Sequence, residues 1–300
     1  MKILILGAAA GGGFPQWNAN NALNKRARAG DPDCPPQTQS SIAVSADGVD
    51  WVLFNASPDL RQQFTENPAM HPNGEVLRHT PIKGVVLSNA DVDHIAGLLT
   101  LRERQAYSLY ATSRVLATLG SNSVFNVLNP EFVTRKAVQA NTAFEVAGLT
   151  ITLFPVPGKV ALYLEKEGEA NFGTVEEDTV GVEISHAGKR VLYVPGCAQI
   201  TDELKARAQG AALLLFDGTL YFDAEMTSSG ESIKTGARMG HISITGDGGS
   251  LNAFDDVDIG KRLYIHLNNT NPVLDRGSKE RGVVEGAGWG VAHDKMEIDL

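Results

Sequence analysis

Residues 84–103, GVVLSNADVDHIAGLLTLRE, hold the densest chemistry in the chain: an apolar run ending at Leu87, a polar loop with Asn89, Asp91, Asp93 and His94, then an amphipathic segment. Two carboxylates and an imidazole within four positions repel or compete unless something positive or hydrogen-bonding offsets them. An Asp-His pair leaving a strand can place both groups on one cation. The same aspartates also suit the start of the following helix, as caps. Of the other histidines, His71, His79, His186 and His293 sit in polar turns and read as surface residues. His266 ends the apolar run RLYIHL and precedes Asn268, Asn269, Thr270 and Asn271, while His241 follows Met239-Gly240. A histidine at a strand end beside an amide-rich loop is a ligand position or a satisfied core residue.

The elements that must position these groups are short. Runs such as KILILG, SIAVSADG, WVLFNAS, GVVLSNA, LTITLFPVPG, RVLYVPG, ALLLFDG, RLYIHLNN and WGVAHDKMEIDL have strand and turn spacing. SIAVSADGVDWVLF and VGVEISHAGKRVLYV each predict a hairpin. Helical spacing appears in DLRQQFTEN, AGLLTLRERQAY, SRVLATLG, TDELKARAQG and SKERGVVEG, with Asp59, Ser113, Thr201 and Ser278 as N-caps and Gly210 as a C-cap. Hairpins mixed with single helices predict stacked sheets with helices outside, in one domain spanning 1–300. Polar stretches 18–41 and 165–178 predict surface loops bordering a site.

Several chemistries drop out. GAAAGGG after the first strand lacks the Gly-Lys-Ser/Thr of a phosphate loop and the G-x-G-x-x-G of a dinucleotide fold, so it reads as a turn that brings backbone close to something. Gly-x-Ser-x-Gly is absent. The net charge of −9 is all in the second half, with 12 basic and 12 acidic residues in 1–150 against 14 and 23 in 151–300, which disfavours nucleic acid as a partner. No run of 18 apolar residues predicts a membrane span, and two cysteines 163 positions apart predict no disulfide scaffold, so the expected compartment is the cytoplasm.

The ordered segments GAAAGGGFPQWN (7–18), QTQSSIAVS (37–45), NASPDLRQQ (55–63), DVDHIAGLLTLRE (91–103), YVPGCA (193–198), LLFDGTL (214–220), MGHIS (239–243) and HLNNTNPVLD (266–275) resemble the metallo-β-lactamase fold superfamily and, within it, the pyrroloquinoline quinone (PQQ) biosynthesis protein B family. The resemblance covers essentially the whole chain. It implies an α/β fold, an αββα four-layer sandwich with metal at one edge. The superfamily's H-x-H-x-D-H falls on Asn89, Asp91, Asp93 and His94, so two histidines are missing, and the position of a bridging aspartate falls near Cys197. One of two hydrolytic metal sites is therefore degraded, while the other keeps Asp93, His94 and His266. Two imidazoles and one carboxylate with open positions match non-haem Fe(II) oxygenases better than binuclear hydrolases.

The resemblance implies iron-dependent hydroxylation of the tyrosine ring in a glutamate–tyrosine cross-linked PQQ precursor, with O2 as co-substrate. A carrier of PQQ or its precursor and a mononuclear zinc hydrolase are the alternatives. His241 is then a proton donor or substrate hydrogen-bonding group, and Asp91 a further ligand or an outer base. Ser243, Asn268, Asn269, Thr270 and Asn271 either orient substrate carboxylates or knit loop backbone, and Arg61 and Arg102 are either carboxylate clamps or surface ion-pair residues. Many family members carry C-x-C-x-x-C after the WN dipeptide, resembling a structural zinc site. Here Ala19, Asn21 and Asn24 stand at those positions, so the expectation is a metal-free, mobile N-terminal loop.

Overall fold

The strand-forming runs are apolar on both alternations, which requires cover on both faces. In the first strand, β1 (Lys2–Gly7), Ile3 and Ile5 face a layer between two sheets, whereas Leu4 and Leu6 face an outer layer of helices. The structure, a computed structural model, describes residues 1–165 and 172–300. Beyond β1 the strands are β2 (Ser41–Ser45), β3 (Trp51–Phe54), β4 (Ile82–Val86), β5 (Tyr107–Ala111), β6 (Val133–Ala137), β7 (Ala143–Val146), β8 (Leu149–Pro155), β9 (Gly158–Lys159), β10 (Phe172–Thr174), β11 (Val180–His186), β12 (Lys189–Val194), β13 (Ala211–Asp217), β14 (Ile259–Ile265), β15 (Trp289–Val291) and β16 (Glu297–Asp299).

Two mixed seven-stranded sheets result, ordered β16-β1-β2-β3-β4-β5-β6 and β15-β14-β13-β12-β11-β8-β7. Each is antiparallel on one side and parallel on the other: β3 to β6 run parallel in the first, β12 to β15 in the second. Parallel neighbours need crossovers, and these carry helices Leu60–Glu66, Ser113–Ser121, Asp202–Ala208 and Lys279–Gly286 onto the outer faces. One buried cluster lies between the sheets and one lies under each helical layer. Along β12, Val191 and Tyr193 enter the central cluster while Leu192 and Val194 enter an outer one, the period of two that builds an αββα sandwich.

Both predicted hairpins form, β2 with β3 and β11 with β12. The second closes on Ala187 and Gly188, both at positive φ (47° and 77°), the conformation a two-residue hairpin loop requires. Thr201 and Ser278 cap their helices as expected. Gly210 sits one place beyond the C-cap Gln209, at φ 73°. Other expectations need correction. Thr112, not Ser113, caps Ser113–Ser121, and the Asp59 carboxylate accepts from Gln39 rather than capping. AGLLTLRERQAY forms only a 3-10 stretch, Ala96–Arg102, because Arg104 takes a left-handed φ of 58° and the chain turns into β5. WGVAHDKMEIDL divides into β15 and β16, in different sheets, at Lys295 (φ 65°).

The N-terminal stretch is not a loose loop. It holds helix Ala22–Arg28, capped by Asn21, and Asn24 within it is fully buried. Asn24 donates to the Asn269 carbonyl (3.0 Å) and to Asn269 Oδ1 (2.9 Å), and its Oδ1 accepts from Gln16 N (2.7 Å). Of the amides that take the cysteine positions, Asn24 therefore ties this stretch to the loop after β14, while Asn21 caps the helix and donates to Glu231. Of the predicted polar loop 165–178, residues 166–171 lie outside the described residues.

Asp294 fastens β1's exit. It accepts from Ala8 N (3.0 Å), Thr38 N (2.7 Å) and Thr38 Oγ1 (2.7 Å), and its burial pushes the carboxyl pKa up to about 7. The folded chain thus holds this proton between pH 4 and 7, where the unfolded chain has lost it, so the contribution of Asp294 to stability falls as pH rises through that window. Relative to Asp294→Asn, wild-type stability should decline from about pH 4 to about pH 7, by no more than about 4 kcal/mol, and then level off. Denaturant titrations of both proteins across this range check it; a constant difference refutes it.

Candidate metal centre

Three chain segments converge where parallel strands end, the usual place for ligand sites in such sheets. β4 delivers Asn89, Asp91, Asp93 and His94, β13 ends on Asp217, and β14 is followed directly by His266. His266 has φ 63°, sparsely populated for a residue with a side chain. From it the chain passes onto the segment after β1: Leu267 N donates to Ala8 O (2.9 Å) and Ala10 N to Leu267 O (2.8 Å). The glycine-rich turn continues from there, and its close neighbour is Asp93: a Cβ on Gly11 would lie 3.4 Å from Asp93 Oδ2. The NASP segment holds the other side, with Ala56 N donating to His94 O (2.7 Å) and Gly97 N to Ala56 O (2.9 Å).

Hydrogen bonds fix which atoms face inward. Asn89 Oδ1 accepts from Asp91 N (2.9 Å) and from His94 Nδ1 (2.7 Å), which leaves His94 Nε2 without a proton. That Nε2 is buried and has no hydrogen-bond partner. Thr219 has one hydroxyl proton and gives it to Asp217 Oδ1 (2.7 Å), so it accepts from His266 Nδ1 (2.8 Å) and turns His266 Nε2 toward Asp93. The two Nε2 atoms lie 3.8 and 3.1 Å from Asp93 Oδ2, the second at hydrogen-bond distance. These three donor atoms lie close enough together to share one cation. Asn89 and Thr219 act as the outer groups that orient such imidazoles.

Burial pushes the Asp93 carboxyl up, but positive charge at His94 and His266 and the hydrogen bond with His266 outweigh it and hold it below the usual carboxylate range, the part a bound cation would take. Burial holds His94 below its ordinary value despite Asp93, so the ring is neutral and able to ligate. Imidazole and carboxylate donors suit zinc and iron alike.

Asp217, His241 and His266 form a second possible cluster. Its carboxylate is already saturated: Oδ1 accepts from Thr219 N (3.0 Å) and Oγ1, and Oδ2 from Cys197 N (2.9 Å) and His241 Nδ1 (2.8 Å). Asp217 therefore orients His241 rather than holding a metal. Burial opposes ionisation of both, yet each outweighs it for the other: Asp217 is held below the usual carboxylate range and His241 is raised. The His241 Nε2 is left for the cavity, with its ring stacked 5.2 Å from that of His266.

The cavity over these groups measures about 360 Å3. Asn268 lines it, but the other amide-loop candidates do not. Asn269 donates to Gln16 Oε1 (2.7 Å), Thr270 to Glu225, Asn271 to Gly218 O (2.8 Å) and Ser243 to Thr245 O (2.8 Å), so these knit loops. Arg61 and Arg102 are exposed and outside it. Asp91 lines the cavity away from the donor trio, 3.9 Å from Lys159 Nζ, and Leu162 N donates to its Oδ1 (3.4 Å). Cys197, near which the position of a bridging aspartate falls, is buried, with its thiol donating to Gln199 O (3.1 Å) and its backbone N–H to Asp217 Oδ2. Sequence reasoning missed Asp217, Thr219, Lys159, Glu165 and Lys234. The first two carry a signal it used elsewhere, polar groups ending a wholly apolar strand.

The αββα sandwich and a metal-binding His/Asp site at its strand ends define a metallo-β-lactamase-type protein, and residues 50–267 match the Beta-lactamase superfamily domain. A diphosphatase of the PhnP family shares the fold at a TM-score of 0.69 and 19% identity, covering 100% of this chain and 96% of its own. "Coenzyme PQQ synthesis protein B" of Methylorubrum extorquens strain PA1 is 54% identical over the full length of both chains, and that of Xanthomonas campestris pv. campestris strain B100 is 49% identical over the same extent. The chain belongs to the coenzyme PQQ synthesis protein B family. A 1.98 Å crystal structure of Zn(2+)-bound PqqB from Methylobacterium extorquens matches with a TM-score of 0.98 and 53% identity over 100% of both chains. Among the described residues no helix is long and apolar enough to cross a membrane.

Proposed function

We propose that this chain hydroxylates the tyrosine ring of the glutamate–tyrosine cross-linked precursor of PQQ, using Fe(II) held by Asp93, His94 and His266. The observation behind this reading is the donor set of one carboxylate and two imidazoles, whose Nε2 atoms both face Asp93. Among the described residues a second ion would lack a full ligand set: Asn89 is taken up by His94, Asp91 is turned toward Lys159 and Asp217 is saturated, which leaves His241 Nε2. Bound iron supplies the one-electron chemistry that O2 needs to react with a closed-shell ring. One oxygen atom of O2 enters the ring C–H as hydroxyl, and the other leaves as water, with two electrons and two protons from outside.

This chain's residues bind and orient. Asn89 and Thr219 hold the two rings in the ligating tautomer, and the Gly11 turn closes one side of Asp93. His241, kept basic by Asp217, faces the cavity as the group that takes the phenol proton and returns it.

Anaerobic reconstitution with Fe(II), then O2, ascorbate as reductant and a tyrosine-containing dipeptide, should give a catechol detectable by mass spectrometry at +16 Da. Tight PQQ binding with no catechol identifies a carrier. Amide cleavage with zinc identifies a hydrolase.

A further inference from the structure

We infer that Lys159 and Lys234 form a carboxylate-binding subsite on the wall of the cavity, in which Glu165 stands in for a carboxylate of the substrate. The Lys159 side chain is only 12% exposed, and its ammonium has three donors. Its neighbours are Val160 O at 3.3 Å, Glu165 Oε1 at 3.4 Å and Asp91 Oδ1 at 3.9 Å. A well-made ammonium–carboxylate bond is about 2.7–2.9 Å long. Among the described residues Lys159 is thus a buried cation with no contact of that quality. Glu165 answers from the other side. Its Oε2 meets Lys234 Nζ at 3.2 Å, while Oε1 is buried with no hydrogen bond of good geometry. Both lysines line the same cavity as Asp93, His94 and His241.

Charge gives the class of ligand. Among the described lining residues Lys159 and Lys234 face Asp91, Asp93 and Glu165, so a divalent cation on the donor trio leaves the lysine, carboxylate and metal charges of this set net positive. An anion is favoured there over a neutral molecule. A carboxylate arriving between the lysines can make the short bonds that Glu165 does not make, and Glu165 then turns to water. The positions 61 and 102, whose arginines could have clamped a carboxylate, lie on the exposed surface, so among the described residues Lys159 and Lys234 are the lysine and arginine cations that line this cavity.

The inference rests on the proposed function, whose glutamate–tyrosine cross-linked substrate carries carboxylates on both of its amino-acid parts. PQQ and benzene-1,3-dicarboxylate serve as probes, titrated by calorimetry into the zinc-loaded full chain, with metal content measured for every variant. Lys159→Ala should weaken PQQ binding at least 10-fold at unchanged metal content, and Lys234→Ala, which is more exposed, several-fold. Glu165→Gln should tighten it several-fold, because the lysines lose their internal partner. If these ion pairs merely stabilise the fold, the glutamate variant weakens binding along with the lysine variants, and that overturns the inference. So does binding unchanged in both lysine variants, or a wild-type chain that binds neither probe. Should the opposite signs appear while the wild type forms no catechol, the hydroxylase reading fails and the subsite stands. Should catechol form with an unchanged KM in Lys159→Ala, the subsite fails and the hydroxylase reading stands.

Discussion

Replacing His266 with alanine should reduce metal uptake by the folded protein from about one ion per chain to less than a tenth. Among the donors, His266 reaches the site from the second sheet, whereas Asp93 and His94 are neighbours leaving β4 of the first. Its loss leaves an adjacent carboxylate and imidazole, too few donors and too close in sequence to surround an ion. Removing an outer orienting partner costs about 10- to 100-fold in metal affinity, and removal of a ligand should exceed that. The fold should survive, since the ring sits at the strand end and not in any of the three apolar clusters. Relief of the left-handed backbone does not follow, because alanine at φ 63° is no better placed than histidine. Inductively coupled plasma mass spectrometry after reconstitution and gel filtration measures the effect, with far-ultraviolet circular dichroism confirming the fold. Unchanged stoichiometry removes His266 from the ligand set and makes the oxygen chemistry untenable.

Much of this was legible in the sequence, for reasons that differ by element. The strand runs, the hairpins and the Asp93–His94 pair depend on residues within a few positions of one another, and local spacing reports them. His266 was legible because a polar group ends an apolar strand. Asp217 carries the same mark, but its role depends on the parallel register that sets β12, β13 and β14 side by side, with Val194 opposite Phe216 and Asp217 opposite Ile265. That register brings Cys197 N, just past β12, onto Asp217 Oδ2, so the acid beside Cys197 comes from the neighbouring strand, which local spacing does not report. Lys159 and Glu165 were illegible for another reason: lysine and glutamate in a polar stretch are ordinarily solvated, and only the closing of β9 and the turn Leu162–Leu164 over the cavity buries them. The amide loop left two readings open, and only its hydrogen bonds separate them. Asn269, Thr270 and Asn271 look like ligand-binding groups but spend their hydrogen bonds on backbone, Gln16 and Glu225.

His241→Asn should retain the metal and lose about 10²- to 10⁴-fold in kcat, the range expected for removal of a positioned acid–base group. The distinction from His266→Ala is the substance of the test, because both rings lie beside Asp217 and belong to one cluster of possible ligands. Asp217 decides between them. Its four hydrogen bonds use both oxygens, and one comes from His241 Nδ1, so the ring is held by a carboxylate and turned to present Nε2 to the cavity. Asparagine at 241 can still donate an amide hydrogen to Asp217, which spares that buried carboxylate the full cost of an unpaired charge. What it cannot do is carry a proton to and from the substrate. Turnover of the dipeptide under iron and ascorbate, together with metal content, gives the two readouts. Added imidazole, small enough for a vacated ring site in a cavity of about 360 Å3, should restore part of the rate in His241→Asn and none in His266→Ala. A fall in metal content parallel to the fall in rate would instead make His241 a ligand and Asp217 its partner in the second donor cluster. A rate within about threefold of wild type would move proton transfer to the remaining ionisable side chains of the cavity wall.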